Sequence, residues 1–134
     1  MDVAALHRAM FDVIQTRDID ALRALYHPDY TYTGGDGQEQ KGADAGVAVA
    51  ETYLNAFSDL RIEVRDQVVS GNVSVLEVTG RGTHDGALGE IPATGRSIEV
   101  VLCNVIEEAD GKILREREYF DQLSFLQQLG IAPG

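Results

Sequence analysis

The chain has 134 residues, of which 44% are apolar, and its formal net charge is −11 at pH 7. Length and apolar content predict one globular domain over residues 1–134, and the negative charge argues against nucleic acid or an anionic membrane as a partner. No apolar run reaches the length of about 18 residues that a membrane span needs. The N-terminus carries acids and lacks the basic region of a signal peptide, so we expect a cytoplasmic protein.

Helical periodicity dominates the N-terminal part of the chain. Apolar residues at helical spacing predict a first helix over residues 2–15, and Asp18 is placed to cap a short second helix. A short strand over residues 30–33 and a glycine-rich loop precede a third helix over residues 43–57. His7 lies off the apolar stripe of the first helix, so we expect it at the surface.

Strand periodicity follows in the rest of the chain. Alternating apolar residues predict four long strands over residues 61–69, 73–84, 96–108 and 112–121. Asp110–Gly111 is a hairpin turn, and Gly130 ends a closing helix over residues 122–129. This order predicts an α+β fold, in which the N-terminal helices cover one face of a curved antiparallel sheet and enclose a pocket.

The last predicted strand has two faces with different chemistry. One face carries Arg115, Arg117, Tyr119 and Asp121, and the other carries Leu114, Glu116, Glu118 and Phe120. If the first face points to solvent, Asp121 is a surface acid or the cap of the closing helix. If it points inward, Asp121, Tyr119 and Arg117 line one wall of the pocket. Burial then raises the pKa of Asp121 towards the range that suits proton transfer.

Other polar residues are candidates for the pocket wall. Asn104 lies in an apolar strand, where it either pairs with backbone groups or hydrogen-bonds a ligand. Tyr32 and Tyr53 are candidates for an aromatic wall, with core positions as the alternative. His84 ends a strand beside a glycine-containing loop, and it either packs there or lines an opening. The three histidines and the single Cys103 are too scattered to predict a metal site.

Motifs in the C-terminal part of the chain occur in a family-specific order. The stretches GTHDGALGEIPATGRSIEV and DGKILREREYFDQLSFLQQLG resemble the SnoaL-like polyketide cyclase family, and the order of elements extends the resemblance over nearly the whole chain. The resemblance implies an NTF2-like fold, a cone-shaped roll with a deep pocket between sheet and helices. It also implies that the face with Asp121 points inward.

The same resemblance implies a reaction. In characterised cyclases of this family, an aspartate at the position of Asp121 acts as general acid and base in an intramolecular aldol condensation, without a metal or organic cofactor. His84 matches the histidine of the family's Gly-Thr-His motif, which can face the pocket. Many relatives carry tryptophan where this chain has Arg117, and this difference favours a ligand with an anionic or polar group.

We therefore predict a polyketide or ester cyclase that binds a small hydrophobic or polyketide-like ligand. Asp121 and His84 are the predicted catalytic residues, and the predicted ligand contacts are Tyr119, Arg117, Asn104, Tyr53 and Tyr32. Two alternatives stay open: an epoxide hydrolase or isomerase on the same fold, for which we find no clear second inward acid, and a binding protein without catalytic activity. An apolar outer sheet face at residues 101–105 predicts a homodimer or a higher homo-oligomer.

Overall fold

The computed structural model describes residues 1–132, in which helices largely precede strands, as predicted. Its helices are α1 (Val3–Gln15), α2 (Ile19–Ala24), α3 (Ala43–Ala56) and α4 (Gln122–Gln128). Its strands are β1 (Tyr26–Thr33), β2 (Glu39–Lys41), β3 (Arg61–Ser70), β4 (Val73–Thr83), β5 (Ser97–Ala109) and β6 (Lys112–Phe120). Within the described residues, no helix combines the length and the apolarity that crossing a membrane requires.

The strands form one open, curved sheet in the order β2-β1-β6-β5-β4-β3. The predicted antiparallel meander is confirmed for β3 to β6, but β1 runs parallel to β6, so the sheet is mixed. β1 also begins earlier than predicted, at Tyr26. Pro28 lies inside this strand, where the pairing with β6 is interrupted between Tyr26 and Thr31. A residue without an N–H is tolerated at such a break.

Two apolar clusters pack the helices against the inner face of the sheet. The larger cluster joins α1, α2 and α3 to the strands, and its fully buried members include Leu6, Met10, Leu22, Leu76 and Ile106. The smaller cluster packs α4 against the end of α3 and the start of β5, through Phe57, Ile98, Phe125 and Leu129. Residues of both clusters line one cavity, which therefore lies between the helices and the sheet.

A β-bulge at Leu114 decides which residues of β6 face the cavity. Next to the hairpin turn, Ala109 pairs with Lys112 and Glu108 with Ile113, but Glu107 then pairs with Arg115. Leu114 is the extra residue, and every later pair is shifted by one position. Asn104 consequently pairs with Glu118, whereas an unbroken hairpin would have paired it with Arg117. Since the side-chain period of a strand is two, this shift exchanges the two faces of β6.

The outer face of the sheet exposes several apolar side chains. Val68 is 66% exposed, Tyr119 is 56% exposed and Val101 is 47% exposed. Cys103 lies on the same face as Val101 and is only partly buried. The homodimer expected from this face stays a prediction.

Candidate functional site

A cavity of about 120 Å³ lies between the helices and the inner face of the sheet. Apolar and aromatic side chains form most of its wall, and among the described residues its charged lining groups are Glu116 and Glu118 alone. No Lys, Arg or His of residues 1–132 belongs to the wall. The volume is smaller than the roughly 300–1,000 Å³ of sites for drug-sized ligands. A larger ligand would therefore place only one end in this cavity.

A side-chain amide joins the two carboxyl groups of this cavity. Asn104 Nδ2 donates to Glu116 Oε2 at 2.8 Å and to Glu118 Oε2 at 2.9 Å. The Tyr30 hydroxyl donates to Glu116 Oε1 at 2.6 Å, and the Tyr32 hydroxyl lies 3.4 Å from Glu118 Oε1. Two carboxyls alone do not make a metal site, and within residues 1–132 no three His, Cys, Asp or Glu side chains are arranged to hold an ion.

Burial gives both carboxyls a proton affinity above that of a surface glutamate. Loss of hydration, together with the charge of Glu116, raises the pKa of Glu118 to about 7, although hydrogen bonds from Asn104 and Tyr32 act in the opposite direction. Burial also raises the pKa of Glu116, against the hydrogen bonds from Tyr30 and Asn104. With its pKa raised to about 7, Glu118 can take up and release a proton near neutral pH, as a general acid and base must.

Phenol groups in the same wall stay protonated. Burial raises the pKa of Tyr53 to about 12, and burial beside the glutamates also raises the pKa of Tyr26 and the pKa of Tyr32. A protonated phenol is a hydrogen-bond donor. The cavity thus combines an acid pair for proton transfer with donors for an oxygen atom that gains negative charge.

The inward orientation expected for the Asp121 face is wrong. Asp121 is exposed and caps α4, where its carboxylate accepts a hydrogen bond from the Ser124 N–H at 3.0 Å. Tyr119 is 56% exposed, and Arg117 lines a separate groove outside the cavity. The physical reason is the bulge at Leu114, which turns these side chains away from the helices. The catalytic role expected for Asp121 stays a prediction, as do the ligand contacts expected for Tyr119 and Arg117.

Two other predicted residues line the cavity, and a third contacts its carboxyl groups. Tyr32 on β1 and Tyr53 on α3 line its wall. Asn104 is fully buried, and its side chain pairs with both carboxyls of the cavity rather than with backbone groups. Contact of these three residues with a ligand stays a prediction.

Two histidines are fully buried, one of them against expectation. His7 was expected at the surface, but its Nε2 lies 2.8 Å from Asn104 Oδ1 and its Nδ1 lies 2.7 Å from Ser74 Oγ. Burial lowers the pKa of His7 to about 4. His84 packs against the ring of Phe57, with ring centroids 5.4 Å apart, and does not belong to the cavity wall. The catalytic role expected for His84 stays a prediction.

The acid pair itself was not expected from the sequence. Glu116 and Glu118 were placed on the outward face, and the search for a second inward acid found none. The sequence held a partial signal for an inward face. By strict alternation apolar Phe120 shares a face with the two glutamates, and Asn104 shares a face with apolar Ile106. Alternation alone could not choose between the faces, since both carry charged residues.

An open, curved sheet with helices over one face and a cavity between them defines the NTF2-like, or ketosteroid isomerase-like, fold. The structure superposes on a SnoaL-like protein from Jannaschia sp. CCS1 with a TM-score of 0.89 and 21% sequence identity, covering 98% of this chain and 93% of the other. It superposes on AclR from Streptomyces galilaeus with a TM-score of 0.86 and 25% identity, covering 98% and 83% of the two chains. The expected fold is thereby confirmed.

The sequence places the chain within one family of this fold. The model of the SnoaL-like polyketide cyclase family matches residues 4–129, so the chain belongs to that family. One relative is the aklanonic acid methyl ester cyclase DnrD from Streptomyces peucetius, which is 29% identical over 128 residues, covering 93% of this chain and 88% of the relative. The family expected from the motifs is confirmed, whereas these comparisons do not test the reaction or its residues.

Proposed function

We propose that this chain closes a ring in a polyketide-like ester by an intramolecular aldol reaction, with Glu118 as general acid and base. The observation that carries the proposal is the pair Glu116 and Glu118 in an apolar cavity, where the pKa of Glu118 is raised to about 7. Membership of the SnoaL-like polyketide cyclase family and similarity to an aklanonic acid methyl ester cyclase support the class of reaction.

The proposed reaction needs one group that moves a proton twice. Ionised Glu118 takes a proton from a carbon between two carbonyl groups, and the electron pair of the C–H bond delocalises into an enolate. The enolate carbon attacks a ketone carbon of the same molecule, so that a C–C bond forms while the C=O π bond opens to an alkoxide. Protonated Glu118 then returns its proton to the alkoxide. Proton transfer of this kind contributes about 10²–10⁴-fold to the rate.

The surroundings of Glu118 favour a neutral reacting end of the ligand. An anionic group would meet two carboxyls, and among residues 1–132 no cationic side chain lines the cavity to offset them. Arg117, from which a ligand with an anionic or polar group was expected, lines a groove outside the cavity, so it does not support an anionic reacting end. The protonated phenol of Tyr53 is the donor that we assign to the enolate oxygen, because the Tyr32 hydroxyl donates to Glu118.

Asp121 is the competing base, since the family resemblance assigns the role to it. The exposed position of Asp121 as the cap of α4 supports this role less well than the half-buried position of Glu118 in the cavity wall supports a role for Glu118. Epoxide hydrolysis has less support than ring closure. It pairs two acids with an arginine, and the described part of the chain contributes no arginine to the cavity wall.

Turnover of aklanonic acid methyl ester by matched variants tests the proposal. We expect Glu118→Gln to lower kcat by about 10²–10⁴-fold. Asp121→Asn is expected to keep nearly the wild-type rate, because asparagine caps a helix about as well as aspartate. Glu99→Gln, whose side chain is 64% exposed, controls for the loss of one negative charge. Product formation is measured by chromatography.

Each other outcome points to a different conclusion. Loss of turnover in Asp121→Asn, with Glu118→Gln unaffected, transfers the role of base to Asp121. Thermal stabilisation by the ester without product in the wild-type protein indicates a binding protein. If the wild-type protein neither converts the ester nor is stabilised by it, the result contradicts the proposed class of substrate.

A further inference from the structure

A series of hydrogen-bonded polar side chains connects the protein surface to the two carboxyls of the cavity. Exposed Arg8 donates through Nε to Gln67 Oε1 at 2.7 Å, and Gln67 Nε2 donates to Ser74 Oγ at 3.1 Å. Ser74 Oγ lies 2.7 Å from His7 Nδ1, and His7 Nε2 lies 2.8 Å from Asn104 Oδ1. Asn104 is the last member, since its amide nitrogen contacts both glutamates.

The chemistry of the members fixes the direction of every hydrogen bond. The Asn104 nitrogen donates to an oxygen of each glutamate, so the amide oxygen faces His7, and an amide oxygen can only accept. His7 must then carry its hydrogen on Nε2. A neutral imidazole with that hydrogen has a bare Nδ1, which accepts from the Ser74 hydroxyl. Every hydrogen bond of this series, from Arg8 to Asn104, is therefore donated in the direction of the acid pair.

We propose that His7 is a positioning residue, which holds the Asn104 amide so that both of its N–H groups meet Glu116 and Glu118. This inference rests on the proposed function for its catalytic meaning, because Glu118 is the base there. His7 itself touches neither the cavity nor a ligand site, and it acts only through Asn104.

A role in packing alone does not explain a histidine at this position. The neighbouring buried positions of α1 are apolar Leu6 and Met10, and the His7 ring stacks on Phe11 with centroids 5.9 Å apart. A phenyl ring would make the same stack without losing the hydration of two nitrogen atoms. The cost of burying an imidazole is offset because both nitrogens are hydrogen-bonded, and one of these bonds ends at the acid pair through Asn104.

Few groups near Glu118 titrate in the neutral range. The titratable side chains that line the cavity with Glu118, or that join the acid pair directly or through Asn104, come from three elements besides β6. They are His7 on α1, Tyr26, Tyr30 and Tyr32 on β1, and Tyr53 on α3. Burial raises the pKa of each of these phenols and lowers the pKa of His7 to about 4. Near pH 7 a titration of the Glu118 carboxyl therefore reports on the acid pair and on the Asn104 hydrogen bonds.

The first measurement is made on the wild-type protein. Long-range nitrogen–proton NMR correlations of the His7 ring show which nitrogen carries the hydrogen. We expect the neutral Nε2–H form throughout the neutral pH range. A ring protonated on Nδ1, or a charged ring at pH 7, would overturn the inference without any variant having to fold.

The second measurement compares His7→Phe with His7→Gln. The phenyl ring keeps the stack on Phe11 but leaves the Asn104 oxygen without its donor, so the amide loses its fixed orientation. We expect the carbon NMR titration midpoint of the Glu118 carboxyl to rise by about one pH unit, because a hydrogen bond to a charged group is lost. Glutamine offers both a donor and an acceptor, and we expect it to restore a midpoint close to that of the wild type.

The outcomes separate this inference from the proposed function. An unchanged Glu118 midpoint in His7→Phe overturns the positioning role, even if Glu118→Gln is inactive. If instead Glu118→Gln keeps its turnover while the midpoint shifts as expected in His7→Phe, the proposed base is wrong and the positioning of the acid pair stands.

Discussion

The two faces of β6 carry opposite charges in opposite surroundings. Glu116 is 7% exposed on the inward face, whereas the side chain of Arg115 is 60% exposed on the outward face and lies 3.8 Å from Glu107. A carboxyl tolerates burial because it can take up a proton and become neutral, but a guanidinium stays charged at any ordinary pH. The comparison teaches that proton affinity, more than polarity, decides which charged residues of this strand can lie inside.

Deletion of Leu114 is expected to cause the largest loss of stability, because it exchanges the inward and outward faces of β6. Without the extra residue the hairpin takes an unbroken register, and Arg115 and Arg117 turn towards the helices. An uncompensated buried charge destabilises a protein by about 3–5 kcal/mol, so we expect urea unfolding to show the loss of most of the stability. Leu114→Ala keeps the residue count and is expected to lose far less. Similar unfolding curves for the two variants would contradict the role of the bulge.

Glu118→Gln is expected to have a smaller effect that depends on pH. The folded-state pKa of Glu118, about 7, lies above its ordinary value of 4.5. The stabilising contribution of this carboxyl is therefore complete below about pH 4.5 and is lost as pH rises through 7. Relative to the wild type, the variant should gain up to about 3 kcal/mol between these pH values.

Urea unfolding of both proteins from pH 4.5 to 8 measures that difference. His7, whose pKa is lowered to about 4, loses its stabilising contribution as pH falls below about 6.5. This contribution is present in both proteins and cancels. Glu99→Gln on the outer face provides the control for net charge. A pH-independent difference between wild type and Glu118→Gln would show that the carboxyl is solvated.

The smallest expected effect is on the free energy of unfolding when Asp121, the cap of α4, is replaced. Asp121→Ala removes the acceptor for the Ser124 N–H, and we expect it to lower the free energy of unfolding by about 1 kcal/mol. Asp121→Asn should lower it by only a few tenths of that amount. Thermal unfolding at constant pH distinguishes the two. Equal losses in both variants would mean that the charge, and not the cap, stabilises the protein.

Much of the fold could be predicted because periodicity and turn chemistry are local. The meander from β3 to β6, the Asp110–Gly111 turn and the Asp18 cap all depend on neighbouring residues, and the structure contains all three. The parallel pairing of β1 with β6 joins residues far apart in the sequence, and no local pattern encodes it.

The site was predicted only in part, because one bulge exchanged the two faces of β6, the strand that carries both glutamates. Asn104 was singled out as a polar residue in an apolar run, and that signal led to the centre of the network. Glu116 and Glu118 were missed because Leu114 is apolar and fits the strand pattern, so nothing local marks it as an extra residue. His7 was misplaced because its partners, Ser74 and Asn104, belong to other parts of the chain.

The hydrogen bond between His7 and Asn104 also limits how much of the domain can fold during synthesis. The two residues are 97 positions apart, and ribosomes add about 5–20 residues per second. His7 is therefore synthesised roughly 5–20 seconds before Asn104. Contacts of such long range are slow to form, so this domain completes its folding only after nearly the whole chain has been synthesised.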